Sequence, residues 1–182
     1  MNTPRTDHLE VLISADEIQQ RCRALAAEIT RDFEGEEIHV IAVLKGSFMF
    51  LADVVRHIEL DVSVDFLGLS SYGSRRATSG VVRMTSDLSM PIEGKNVVVI
   101  EDIVDTGLTM KYLMDNLSTR RPKSLSVCTL LNKPVNREAE VDLAYVGFEI
   151  EDHFVIGYGL DDAEFSRHLP YIGHVVPSNE DE

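Results

Sequence analysis

The feature that most constrains this chain is a run of adjacent apolar β-branched residues, Val97-Val98-Val99-Ile100, followed at once by two acids. No polar residue alternates within the run, so both faces of that strand must be covered, as in a parallel sheet between layers of helices. Ile38 to Leu44 and Leu125 to Leu131 read the same way, and Val62 to Leu69, Val81 to Thr85, Leu143 to Phe148 and Phe154 to Tyr158 are further expected strands. Between them lie segments of helical period. Ser14-Ala15-Asp16-Glu17 is a capping box, and Ile18, Cys22, Leu25, Ala26 and Ile29 form an apolar stripe behind it. Phe48 to Ile58 and Thr109 to Leu117 are expected helices, Gly35 ends the first one, and Pro91 to Lys95 reads as a turn. Strands alternating with helices give an α/β fold with a mostly parallel central sheet flanked by helices. The 182 residues are read as one domain, with flexible tails at about 1–12 and 177–182.

The formal net charge of −14 argues against a nucleic-acid binder, which carries a basic face. Small anionic substrates remain compatible with it, because a few cations or a metal ion reverse the field inside one cleft. The two cysteines, Cys22 and Cys128, are far apart in sequence and read as reduced thiols rather than a disulfide or zinc pair. The polar start from Met1 to His8 lacks the apolar core of a signal peptide, and no apolar run approaches the ~20 residues of a membrane span. A cytoplasmic protein with no membrane or nucleic-acid partner is therefore expected. His39, His57, His153, His168 and His174 show no ligand spacing.

The densest chemical signal is Val97 to Thr109. A buried strand runs into Glu101-Asp102, then Asp105, then Thr106-Gly107-Leu108-Thr109 at the expected start of a helix. The amides and dipole of a helix N-terminus bind phosphate, Thr106 and Thr109 add hydroxyls, and Gly107 lets the backbone turn tightly against a ligand. Acids placed just ahead of such a site would repel phosphate, so sugar hydroxyls or a metal ion are the natural partners of Glu101 and Asp102. The plainer alternative makes Asp105 or Thr106 a helix N-cap and Glu101-Asp102 solvated charge at a strand end. Neighbours on an ideal strand point to opposite faces, so either the strand ends before Glu101-Asp102 or only one of the two makes direct contact.

The form Glu101-Asp102-Ile103-Val104-Asp105-Thr106-Gly107-Leu108-Thr109 resembles the phosphoribosyl-diphosphate signature of the type I phosphoribosyltransferase family, in its hypoxanthine-guanine version. The resemblance extends from about Ile13 to His174. It takes in Leu44-Lys45-Gly46-Ser47, Ser70-Ser71-Tyr72-Gly73, Leu131-Asn132-Lys133-Pro134, and Phe154 to Asp161 with Arg167 beyond.

The resemblance implies the family fold with a small hood, a Mg²⁺ cofactor, and a purine base and 5-phosphoribosyl diphosphate as substrates. It also implies a homodimer or homotetramer. Residue by residue, it implies that Asp105, Thr106, Gly107, Leu108 and Thr109 cradle the 5-phosphate, and that Asp105 handles the proton at purine N7. Glu101 and Asp102 would hold the ribose hydroxyls, directly or through metal. Lys45, Gly46 and Arg167 would meet the pyrophosphate, across a cis Leu44–Lys45 peptide. Ser71 and Tyr72 would belong to a mobile lid over 70–80. Lys133 would donate to the purine six-oxygen, Phe154 would stack on the ring, and the Val155 backbone would read the base edge. Asp161 would border the purine and help hold Mg²⁺, with Arg137 nearby.

Three rivals stay open at this point. One is a regulator of the same fold that binds nucleotide or RNA, and another is an enzyme of this fold using xanthine or a pyrimidine. The third is a nucleotide-binding module without turnover.

Overall fold

A computed structural model describes residues 9–71 and 82–175. The central sheet has six strands: β2 (Ile38–Leu44), β3 (Val62–Ser71), β4 (Val82–Ser86), β5 (Asn96–Val104), β6 (Ser124–Asn132) and β7 (Tyr145–Glu149). Their spatial order is β4-β3-β2-β5-β6-β7; all are parallel except β4, which runs antiparallel at the edge. The helices α1 (Ala15–Asp32), α2 (Phe48–Val55) and α3 (Leu108–Ser118) cover it. From β2 the chain crosses to β3 on one side, and from β5 it crosses to β6 on the other. Ligands bind outside the carboxyl ends of the strands at such a switch point, here the loops after β2 and β5.

Two apolar clusters sandwich the sheet. One joins α1 and α2 to Val40, Ala42, Val98 and Ile100; the other joins Met110, Leu113 and Leu117 of α3 to Ile41, Val43, Val97 and Val99. The unbroken apolar runs of β2 and β5 exist because alternate residues enter opposite clusters. In α1 the expected stripe of Ile18, Cys22, Leu25, Ala26 and Ile29 is the buried face. Its capping box is closed on both sides, with Ser14 N donating to Glu17 Oε2 at 2.9 Å and Glu17 N donating to Ser14 Oγ at 3.3 Å.

Several boundaries depart from the expected ones. The helix expected to reach Ile58 ends at Val55, where the bonding tightens to His57 N→Val54 O and Ile58 N→Val55 O. The loop expected from Ser70 starts later: Ser70 and Ser71 extend β3 and pair with Arg83 and Val82 of β4, so their backbone groups are satisfied by an edge strand. Tyr72 and the rest of the expected lid lie outside the described residues. The strand expected over Phe154 to Tyr158 shrinks to β8 (Val155–Ile156), because Gly157, Tyr158 and Gly159 all take positive φ.

At the amino end, Leu9 to Leu12, expected within a flexible tail, form β1 (Leu9–Ile13) with Ile13. That strand pairs antiparallel with β9 (Ile172–Val175), which in turn pairs with β8. This three-stranded sheet is the hood, and it sets the chain from Phe154 to Arg167 over the carboxyl ends of the main strands. No helix among the described residues is long and apolar enough to cross a membrane.

Candidate active site

A cleft of about 720 Å³ opens at the switch point. Leu44, Lys45 and Gly46 form one wall, Glu101, Asp102 and Thr109 the floor, and Asp161, Glu164 and Arg167 the opposite wall. Glu101 and Asp102 both lie inside β5, which runs on to Val104, so the strand does not end before them. Both nevertheless border the cleft. Pairing with β2 stops at Ile100, and the β2 loop bends so that Gly46 rests on Asp102. A Cβ on Gly46 would fall 1.5 Å from Asp102 Oδ2, which explains glycine there. The Leu44–Lys45 peptide is cis.

Burial pushes both the Glu101 and Asp102 carboxyls up and Asp102 raises Glu101 further, while hydrogen bonds from Glu101 and the Ile103 amide, and more weakly Arg167, oppose the rise at Asp102. Glu101 Oε2 is out of reach of solvent and has no hydrogen-bond partner. Two acids held together, one with an orphaned oxygen, form a donor set suited to a hard divalent cation that is also bound through substrate oxygens. Among the described residues no three metal-ligating side chains converge into a closed cage.

Beyond β5 lies a smaller hollow of about 170 Å³, lined by Glu101, Asp105, Thr106, Gly107 and Thr109. Neither Asp105 nor Thr106 is the N-cap of α3. That position belongs to Gly107, at φ 82, which has no side chain to cap with, and Thr106 Oγ1 accepts from Leu108 N only at a long 3.4 Å. The amides after Leu108 in the first turn thus remain for a ligand, with the positive end of the dipole at the hollow. Thr106 O accepts from Glu138 N at 2.9 Å and Ala139 N at 3.0 Å, while Arg137 donates to Val104 O at 3.4 Å and to Asn132 Oδ1. A strap from Arg137 to Ala139 therefore holds the loop from behind, and a Cβ on Gly107 would strike Ala139 O at 2.3 Å.

Lys133 directly follows β6, with its side chain only 10% exposed. Its Nζ lies 2.6 Å from Asp152 Oδ1, 3.3 Å from His153 O and 3.7 Å from Asp105 Oδ2. Asp105 Oδ1 is buried and without a partner. Phe154, a residue type that usually packs in cores, is 58% exposed beside this group. Val155 is buried in β8.

On the other wall Arg167 Nη2 meets Asp161 Oδ1 at 2.7 Å, and Lys45 Nζ meets Glu164 Oε2 at 2.8 Å. The structure thus brings together Lys45, Gly46, Glu101, Asp102, Thr109, Asp161 and Arg167 in one cleft, with Asp105 to Gly107 adjoining it and Lys133 beside Asp105. Ser71 is the last residue of β3, and Tyr72 lies outside the described residues. Sequence reading missed Asp152 and Glu164, the acids that hold Lys133 and Lys45. Each stands among other acids, Asp152 after Glu151 and Glu164 after Asp161-Asp162, and nothing in the local sequence separates it from solvated charge.

The family model for the phosphoribosyl transferase domain matches residues 14–163. The hypoxanthine phosphoribosyltransferase of Haemophilus influenzae is 48% identical over 172 residues, covering 93% of this chain and 96% of that protein. The hypoxanthine-guanine phosphoribosyltransferase of Bacillus subtilis is 44% identical over 169 residues, covering 93% and 94%. Among solved structures, a Bacillus anthracis hypoxanthine-guanine phosphoribosyltransferase with a HEPES molecule in its active site superposes with a TM-score of 0.88. It is 51% identical, over 92% of this chain and 98% of that one. A Staphylococcus aureus hypoxanthine phosphoribosyltransferase gives a TM-score of 0.91 at 42% identity, over 97% of both chains.

Proposed function

The chain belongs to the phosphoribosyl transferase domain family, and from that premise we propose that it is a purine-salvage enzyme. It transfers the 5-phosphoribosyl group from 5-phosphoribosyl diphosphate to N9 of hypoxanthine or guanine, giving IMP or GMP and pyrophosphate. The observation that carries this reading is Lys133 Nζ 3.7 Å from Asp105 Oδ2. It joins the phosphate loop to the base segment, so a purine accepting from Lys133 at O6 presents N7 toward Asp105.

The bond from the anomeric carbon to the diphosphate oxygen breaks, positive charge develops on the sugar, and N9 bonds to that carbon. Asp105 takes the N7 proton in synthesis and returns it in reverse, and its partnerless Oδ1 is available for this. Asp105, Thr106, Gly107, Leu108 and Thr109 bind the 5-phosphate through the amides of α3. Lys45, Gly46 and Arg167 receive the diphosphate. Glu101 and Asp102 orient the ribose hydroxyls, Phe154 stacks on the base, and the Val155 backbone reads its edge. Glu101, Asp102 and Asp161 are the residues that would hold Mg²⁺, which supplies charge neutralisation of the leaving diphosphate when bound. The rest is positioning in a water-poor cleft, completed by a lid that includes Ser71 and Tyr72. The same reading places the protein in the cytoplasm as a homodimer or homotetramer.

The test is product formation from 5-phosphoribosyl diphosphate and Mg²⁺ with hypoxanthine, guanine, xanthine, adenine and uracil in turn. Conversion of hypoxanthine or guanine, abolished by a chelator, is expected. In the same assay Asp105→Asn lowers turnover with little change in substrate affinity. Turnover of xanthine, adenine or uracil alone would overturn the base assignment, and no turnover of any base would overturn the enzyme.

A further inference from the structure

Tyr158 is a buried residue in the turn after β8, held at φ 48 by a hydrogen bond from its amide to Leu169 O at 2.8 Å. Its hydroxyl reaches away from the hood and donates to Asp53 Oδ2 of α2 at 2.5 Å. The same carboxylate accepts from Gln19 Nε2 of α1 at 2.5 Å, and its other oxygen pairs with Arg56. Cys22 Sγ lies 3.7 Å from the phenol oxygen. Burial and Asp53 push the phenol pKa up, so the hydroxyl remains a donor.

The two ends of this bond lead to opposite walls of the cleft. α2 starts directly after Lys45-Gly46-Ser47. On the hood side, Gly159 touches that loop: at φ 101, a Cβ there would lie 1.9 Å from Gly46 O. Gly159 is in turn gripped by Arg167, whose carbonyl accepts from Gly159 N at 2.9 Å and whose Nη1 donates to Gly159 O at 2.7 Å. A further bridge between the walls among the described residues, Lys45 to Glu164, is exposed on both sides and adds little.

We infer that Tyr158 and Asp53 are positioning residues: their partly buried hydrogen bond sets the spacing between Gly46 and the Gly159–Arg167 clamp, and so the fit of the cleft to a diphosphate group. The inference rests on reading Lys45, Gly46 and Arg167 as the diphosphate walls. Neither residue touches substrate. The Asp53 bond acts through the walls, so it affects the diphosphate and leaves the base pocket built on Lys133 and Phe154 alone.

Tyr158→Phe keeps the ring and removes the donor. It is expected to raise KM for 5-phosphoribosyl diphosphate and Kd for inorganic pyrophosphate by roughly tenfold, the order of one charge-assisted hydrogen bond. KM for hypoxanthine should change by less than about twofold, because that pocket is untouched. Asp53→Asn retains an acceptor oxygen but loses the charge, so it should fall between wild type and Tyr158→Phe, whereas Asp53→Leu, which also leaves Gln19 and Arg56 without that partner, should shift the diphosphate constants at least as far as Tyr158→Phe. Equal rises in both KM values, or a lower Tm with unchanged constants, would make the tyrosine a packing residue only.

Amide hydrogen exchange separates this idea from the functional reading, since it needs no turnover. In Tyr158→Phe, protection should fall together at 157–161 and at Phe48 and Leu51, whose amides bond back to Lys45 O and Ser47 O. A fall confined to 157–161 overturns the coupling whatever the enzyme does, and an inactive wild type with coupled exchange overturns the function alone. If Tyr158→Phe does not fold, the Asp53→Asn and Asp53→Leu pair gives the same readouts.

Discussion

Replacing Gly46 by alanine tests the central contact of the cleft. The added methyl would lie 1.5 Å from Asp102 Oδ2 and 2.5 Å from its Cγ. Carbon and oxygen atoms in contact sit about 3.5 Å apart, so the carboxylate must retreat by about 2 Å. Gly46 itself is held on one side by Gly159, whose Cβ position is 1.9 Å from Gly46 O, so the loop has no room to back away. Asp102 is therefore the part that moves. Its Oδ1 accepts from Ile103 N at 2.8 Å, and turning the side chain breaks that bond. Losing a hydrogen bond to a charged group costs about 1.5–3 kcal/mol, and an off-rotamer side chain adds ~0.5–1.5 kcal/mol.

Gly46→Ala is thus expected to destabilise the protein by about 2–4 kcal/mol, which at this size lowers Tm by roughly 5–15 °C. Calorimetric unfolding measures it, and a double-mutant cycle with Asp102→Ala tests its cause. Removing the carboxylate removes the clash, so the double variant should recover about 1.5–3 kcal/mol relative to the sum of the singles. On the proposed function it should not recover turnover, because the acid that orients the ribose is gone. Additive singles, or a cost below about 1 kcal/mol for Gly46→Ala, would refute the contact and with it the account of why both acids border one cleft.

Two other predictions concern buried groups away from the cleft. Burial pushes the Cys22 thiol up to about 11 and the Cys128 thiol further still, so neither should react with a disulfide reagent at pH 8 until the protein is unfolded; rapid labelling of native protein would contradict their burial. Burial and Lys95 hold His39 below its usual 6.5, against a smaller opposing pull from Asp65, so the unfolded chain binds the proton more readily. Stability should be full above pH 6.5 and fall as pH drops below it, and an unchanged acid slope in His39→Gln would remove His39 as the cause.

What could be read from the chain divides along a physical line. Burial of a local segment writes itself into periodicity, so β2, β5 and the face of α1 were legible from Ile38 to Leu44, Val97 to Ile100, and Ile18 to Ile29. The phosphate loop was legible because a strand, a glycine and hydroxyls in sequence already make a binding surface. The hood was legible only in part. β8 lies inside the strand expected over Phe154 to Tyr158, but β1 and β9 are short and stabilised by partners remote in sequence, so Leu9 to Ile13 carries no local sign of Ile172 to Val175. The convergence of Glu101 and Asp102 was equally hidden. It depends on where β2 stops pairing and on Gly46 arriving beside Asp102, both tertiary events. Asp152 and Glu164 could not be singled out because an acid's importance lies in which cation it meets.

Those two acids also resolve how a chain of net charge −14 can handle an anionic substrate. Each cation at the cleft rests against a carboxylate: Lys133 on Asp152, Arg167 on Asp161, and Lys45 on Glu164. The pairs are not equivalent. Lys133 is only 10% exposed and has its ammonium fixed by His153 O as well, so it keeps one position whether or not a base is present. Lys45 and Glu164 are 68% and 59% exposed, and a pair so wet is worth about 0–1 kcal/mol. A diphosphate can therefore displace Glu164 from Lys45 at little cost, while nothing of comparable charge displaces Asp152 from Lys133. The base side of the proposed site is accordingly fixed in advance, and on the diphosphate side Lys45 rests on a carboxylate held weakly enough for the substrate to exchange.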